Sequence, residues 1–344
     1  MMSGVFAPKF TKAIVCVAAA SLVAASGCGG GSSSGPSAEL LKPGEVSAEV
    51  TAAENVDVAQ FPQVQGRSID QLTKESAAQG QFGQGNGTFN VGENRLAFAV
   101  IGPDGAPAYG PTVVYVADSR TGVAKGPFAA PADPMIPQQK FESKQSSLDS
   151  NAIQAIYETR IPLPKVGTWT VLSMTQTPSG LVGAEASTIK VAARDTVPNV
   201  GDKAPSVHTA TGTSTVSGSQ VDTRDPKAPS LHQADFAKVR GTAPVALMFS
   251  SPQFCVSRVC GPVTDLLLQL QAAYGDSVTA IQQEAYSKFP NPAVPLKQFG
   301  LVARDGSFSE PWLFTVRKDG TIAARLEGAF GINAMNDAFK AALR

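Results

Sequence analysis

Histidine is nearly absent from this 344-residue chain, which has two, and cysteine is sparse at four. Two histidines are too few for a histidine-rich metal centre, and four cysteines exclude a disulfide-dense scaffold. A net charge is lacking as well. The 28 Lys and Arg balance 28 Asp and Glu, so the basic excess of a nucleic-acid binder is missing. What the chain does have is length, 43% hydrophobic residues, 32 Gly and 25 Pro. Single cores rarely grow past roughly 250 residues, so two domains are expected.

Lys9 and Lys12 precede an apolar stretch from Ala13 to Ser26. It falls short of the roughly 20 residues that cross a bilayer and has the layout of a secretory signal. It runs into Ala25-Ser26-Gly27-Cys28, which resembles the lipobox of bacterial lipoproteins, although position 25 is Ala where that family more often has Leu. The resemblance implies cleavage of residues 1–27, acylation of Cys28 and a membrane-held, extracytoplasmic protein. A type I cleavage site nearby and an uncleaved anchor are the alternatives. Cleavage removes two lysines and Cys16, leaving a charge of −2 and two free thiols, Cys255 and Cys260, where disulfides persist.

Residues 28–87, rich in Gly, Ser, Ala and Gln, read as a flexible tether with a short helix around Ser68–Ala77. From 88 to 194 the pattern turns to short β-type runs, 96–101, 112–117, 155–161, 168–175 and 187–192, separated by turn residues. They predict an all-β sandwich, and the stretch from Leu163 to Val171 looks like the turn and strand start of immunoglobulin-like modules. Trp169 is expected in its core. Residues 195–229 carry Pro198, Pro205, Pro226 and Pro229 around a Ser/Thr/Gly-rich middle and read as a linker.

Residues 230–344 read as a compact α/β unit. The run from Ala243 to Ser250 has the length and continuity of a strand buried on both faces. It leads into Cys255 and Cys260, then a helix in which Val263, Leu267, Leu270 and Tyr274 share one face. A strand at 278–285, a hairpin turning at Lys318-Asp319-Gly320, and a closing helix with Ile332, Met335, Phe339 and Leu343 on one face complete the pattern. This order resembles the thioredoxin fold of the thioredoxin, TlpA and Sco superfamily. Pro311, directly before the run Trp312–Val316, matches the position of that family's cis-proline. The resemblance covers about the last third of the chain.

The spacing departs from the family. Thioredoxins carry Cys-x-x-Cys, and the Sco copper chaperones carry Cys-x-x-x-Cys with a later histidine. Here four residues intervene, and His208 and His232 both precede the pair. Pro252, three residues before the first cysteine, stands where a peroxiredoxin has Thr or Ser. A single helix through both cysteines would separate their Cα atoms by about 8.7 Å, beyond the roughly 7 Å that a disulfide tolerates. Gly261-Pro262 is a natural helix start, so the five-residue arc can fold back and a Cys255–Cys260 disulfide is expected. Cys260 would then lie at a helix N-terminus with Arg258 near, and Cys255 would be the more exposed sulfur.

The resemblance implies a thiol-disulfide oxidoreductase exchanging disulfides with exported proteins through Cys255 and Cys260, with Pro311 shaping the groove. A redox partner would reset it, and no cofactor, resident metal or nucleic acid is expected. Trp312 and Phe254 are expected to pack rather than touch substrate. Two other readings use the same residues: a non-enzymatic binding or assembly lipoprotein with a structural disulfide, and a copper(I) carrier. For the anchor, Cys28→Ser should move the protein from the membrane to the soluble fraction, read by fractionation and immunoblot. Retention on the membrane would refute the lipobox.

Overall fold

The computed structural model describes residues 35–147, 153–185, 188–212, 221–255, 257 and 259–344. The signal, Cys28 and Arg258 lie outside the described residues. Strand runs expected between 88 and 194 form and divide between two sheets. One is four-stranded and antiparallel, with β1 (Gln81–Gln84), β2 (Gly92–Ile101), β4 (Ala132–Pro134) and β5 (Ala155–Leu163) in the order β1-β2-β5-β4. The seven-stranded sheet is organised around β6 (Gly167–Thr177), which pairs with β3 (Thr112–Ala117), β7 (Gly180–Glu185) and β8 (Ile189–Ala192).

Successive strand residues point to opposite faces. Leu96, Phe98 and Val100 of β2 therefore share a core with Val114 and Val116 of β3 and with Trp169 and Val171 of β6. Val113, Tyr115 and Ala117 point the other way, yet they too are buried, under Phe61, Ile69 and Leu72. Covering both faces explains why 112–117 reads as a continuous apolar run rather than an alternating one.

That cover corrects the expectation of a tether over 28–87, because residues 35–87 are built into the structure. Helix α1 (Ala48–Ala53) starts at Ser47, whose hydroxyl accepts from Val50 N–H, and buries Val50 and Ala53. Helix α2 (Ile69–Thr73) is closed by a reciprocal Ser68–Gln71 capping box and ends earlier than expected. Five- and six-residue elements are too short to show a period, so composition alone suggested disorder.

In the C-terminal part, β9 (Val245–Ser250), β10 (Thr279–Glu284), β11 (Trp312–Val316) and β12 (Ile322–Glu327) form a sheet in the order β10-β9-β11-β12. The β9–β10 pair is parallel and the others antiparallel. Helices α3 (Cys260–Tyr274) and α4 (Ile332–Ala342) cover one face, against Ala246, Met248, Leu313 and Leu326. Val245, Leu247, Phe249 and Phe314 point to the opposite face, beneath Val207, Phe236 and Phe299. The expected hairpin turns at Asp319, whose carboxylate accepts from Thr321 N–H, and at Gly320 with φ 84°. Ile332, Met335 and Phe339 are buried as expected; Leu343 falls beyond the helix and is 47% exposed.

The expected linker at 195–229 is corrected likewise for its described residues. Ala204 and Val207 join the core of the C-terminal sheet, Asp195 pairs with Arg325 of β12 at 3.1 Å, and Arg224 is 3% exposed. Arg224 Nε donates to Asp265 of α3 at 2.6 Å, and the same carboxylate accepts from the Ser143 and Ser146 hydroxyls and the Ser143 N–H. The stretch is laid over the fold, and its last proline opens a short 3-10 helix, Pro229–His232. Residues 35–344 accordingly form one compact unit rather than two beads.

The two parts meet along β12 and α4. Ala97, Ala99 and Ile156, on the outer face of the four-stranded sheet, share a core with α3 and α4. Arg95 donates to the Glu327 and Ala329 carbonyls at 3.0 and 2.6 Å, and Ala329 N–H donates to Gly85 O at 2.9 Å. Gly328, at φ 70°, lies so close to Gly85 O that a Cβ would overlap it. Asp133 of β4 accepts from the backbone N–H groups of Gly331, Asn333 and Ala334, capping α4 from a different part of the chain.

Two outcomes follow. Gly328→Ala should cost at least about 2 kcal/mol of stability, from the left-handed backbone and the overlap together, measured by urea unfolding. Burial pushes the Asp133 carboxyl up to about 7, above its unfolded value near 4. The folded state therefore holds this proton more tightly. The stabilisation is complete below about pH 4 and is lost as pH rises through 7. Relative to Asp133→Asn, the wild type should lose stability over that window, as paired denaturation curves at pH 4 to 8 would show.

Candidate functional site

Strand β9 delivers the chain to Ser251, whose carbonyl accepts from the N–H groups of Phe254 and Cys255 at 3.0 and 3.1 Å. This tight turn reverses the chain, and Cys260 is the first residue of α3. The helix thus begins two residues before Pro262, still within its first turn. Cys255 and Cys260 are joined by a disulfide with Cα atoms 5.9 Å apart, as the folded-back arc requires. Cys260 is fully buried and Cys255 half-buried. The Cys255 sulfur lies 3.3 Å from the Ser257 hydroxyl. The sulfur beside the helix N-terminus is therefore the inaccessible one.

Pro311 is buried, follows Glu310 through a cis peptide and opens β11. The Glu310 carboxylate comes within 4.8 Å of both cysteine sulfurs. Sequence reasoning missed this residue; its only signal was adjacency to a proline already singled out. Burial, reinforced by the charge of Glu284, pushes the Glu310 carboxyl up to about 7. Both its oxygens are buried; the Tyr286 hydroxyl and the Ser251 backbone N–H lie alongside without forming a hydrogen bond of normal geometry.

Glu284 ends β10 behind the cysteine loop. It accepts from the Thr223 N–H and hydroxyl at 2.8 and 2.9 Å and from the Ser251 hydroxyl at 2.7 Å, and burial pushes it up to about 7. Ser251 in turn accepts from Ala285 N–H at 3.0 Å. The base of the loop is thereby fixed by a buried polar network.

Phe254, directly before Cys255, belongs to a group of four aromatic rings. Phe254 meets Tyr286 and Phe289 at centroid distances of 6.0 and 5.3 Å, and Tyr286 meets Phe308 at 5.3 Å. Phe289 is 50% exposed. On the other side, a cavity of about 390 Å³ is walled by Gly83, Gly85, Ala99 and Ile156 of the β-rich part and by Val259 and Glu310. The β-rich part thus shares the surroundings of the disulfide, which its sequence did not suggest.

The remaining expected residues are structural. Trp169 is buried, its indole N–H donating to Lys165 O at 3.1 Å. Trp312 is buried, stacks on Phe314 and donates to the Ser309 hydroxyl at 3.1 Å. His208 pairs with Asp235 at 2.7 Å, and His232 lies buried 3.4 Å from Asp222. Among the described residues, the third group that gathers with the two sulfurs is Glu310 and not a histidine. No helix among the described residues is long and apolar enough to cross a membrane.

No protein-family model matches the chain, and no curated protein matches it in sequence.

Proposed function

We propose that the protein is a lipid-anchored, extracytoplasmic thiol-disulfide oxidoreductase, with an immunoglobulin-like sandwich followed by a thioredoxin-like domain. The observation that carries this reading is the disulfide at the junction of a central strand and a long helix, with one sulfur half-exposed and the other buried. A bridge serving only to pin a loop has no need of that asymmetry, nor of a buried carboxylate against it.

In the reduced protein the Cys255 thiolate attacks one sulfur of a partner disulfide. A mixed disulfide forms and the partner's other sulfur leaves as thiolate, taking up a proton. Cys260 then attacks Cys255 Sγ, closing the internal bridge and releasing the second partner thiol, so two electrons pass to the partner. The reverse sequence oxidises a partner dithiol. Partners are exported proteins with accessible cysteines, and the aromatic rings around Cys255 suit the apolar residues flanking them.

The test is the reduction potential of the pair together with exchange kinetics. The potential should lie above about −300 mV, Cys255→Ser should abolish exchange with a protein disulfide, and Cys260→Ser should accumulate the mixed disulfide. A bridge that stays oxidised in strong thiol buffer, with exchange unaltered in Cys255→Ser, would overturn the proposal.

A further inference from the structure

Beyond exchange, we propose that reduction of the Cys255–Cys260 bridge creates a binding site for a zinc-class divalent cation, its ligands the two cysteine sulfurs and the Glu310 carboxylate. The first support is distance. The three donor atoms already lie within 4.8 Å of one another. A tetrahedral zinc ion with sulfur at about 2.3 Å and oxygen at about 2.1 Å holds its ligands roughly 3.5–3.8 Å apart. Reaching that geometry needs the sulfurs to part and the carboxylate to approach, movements on the scale of one side-chain rotation.

The second support is charge. Reduction would place two ionisable thiols beside a carboxylate whose oxygens are buried, with only the Tyr286 hydroxyl and the Ser251 backbone N–H alongside among the described residues. A further buried carboxylate, Glu284, lies behind. Such a group of anions must hold protons or a cation. The oxygen ligand then selects the ion. Copper(I) is satisfied by the two sulfurs and has no call on a hard carboxylate, and magnesium or calcium would reject the sulfurs. Two thiolates with one carboxylate suit zinc, leaving a fourth position towards the half-exposed side of Cys255.

The step balances as follows. A dithiol reductant transfers two electrons and two protons, breaking the S–S bond and becoming a disulfide itself. The cation then binds as the two thiol protons leave to solvent. Reoxidation by a disulfide oxidant, which takes up the two electrons and two protons and becomes a dithiol, re-forms the S–S bond, removes both sulfur ligands and expels the ion, so occupancy reports the redox state of the loop.

The experiment titrates cobalt(II), then competing zinc, into the full mature protein after reduction and removal of the reductant under anaerobic conditions. Reduced wild type should bind one cobalt with a thiolate-to-cobalt charge-transfer band that zinc abolishes, and oxidised protein should show none. Glu310→Gln, checked for folding by reformation of its disulfide, should weaken binding about tenfold or more. Glu310→Asp, a second replacement that keeps the charge, should fall between. Arg258 is the one cation in the arc itself, and Arg258→Ala should hold or raise affinity. Absence of the band in reduced wild type, unchanged affinity in Glu310→Gln, or a loss in Arg258→Ala would each overturn the assignment. None of these readouts depends on disulfide exchange, so this proposal and the previous one fail separately.

Discussion

Asp265 is fully buried in the middle of the helix that begins at Cys260, and the arrangement of the chain around it follows from that one charge. An unpaired carboxylate there would be prohibitively costly. Its partners come from two distant segments, Ser143 and Ser146 from the β-rich part and Arg224 from the proline-rich stretch. Neither segment is dispensable to the helix, and the helix in turn fixes the buried sulfur. The disulfide loop is thus held by parts of the chain that, by composition, looked like connections.

The same helix shows how far the sequence could be read. Val263, Leu267, Leu270 and Tyr274 were legible as one apolar face because a 3.6-residue period survives on the side facing the sheet. Thr264, Asp265 and Gln269 lie off that face, yet they are buried. Gln269 donates to the Leu40 and Lys42 carbonyls and its oxygen accepts from Gln138 N–H. Polar residues satisfied by distant backbone carry no local pattern, so this second face was invisible. The strands were legible for the complementary reason, since their burial is expressed within five to ten consecutive residues.

The site was half legible. Two cysteines five positions apart, between a buried strand and a Gly-Pro helix start, are local information. Glu310 is about fifty residues further on and reaches the sulfurs only because β11 lies beside β9 in the sheet, with Trp312 in register with Phe249. The ordering β10-β9-β11 converts that separation into contact, and a single sequence offers no covariation to reveal it. Composition misled at 35–87 and 195–229, where small and polar residues fill close approaches such as Gly85 against Gly328.

The two sulfurs are mechanically unequal. Cys260 belongs to a helix clamped by the sheet on one side and by the Asp265 and Gln269 contacts on the other, whereas Cys255 sits on a short turn anchored mainly through the Ser251 carbonyl. Cys255 directly follows Phe254, which stacks on Phe289, so the less firmly held sulfur is also the one joined to the aromatic rim.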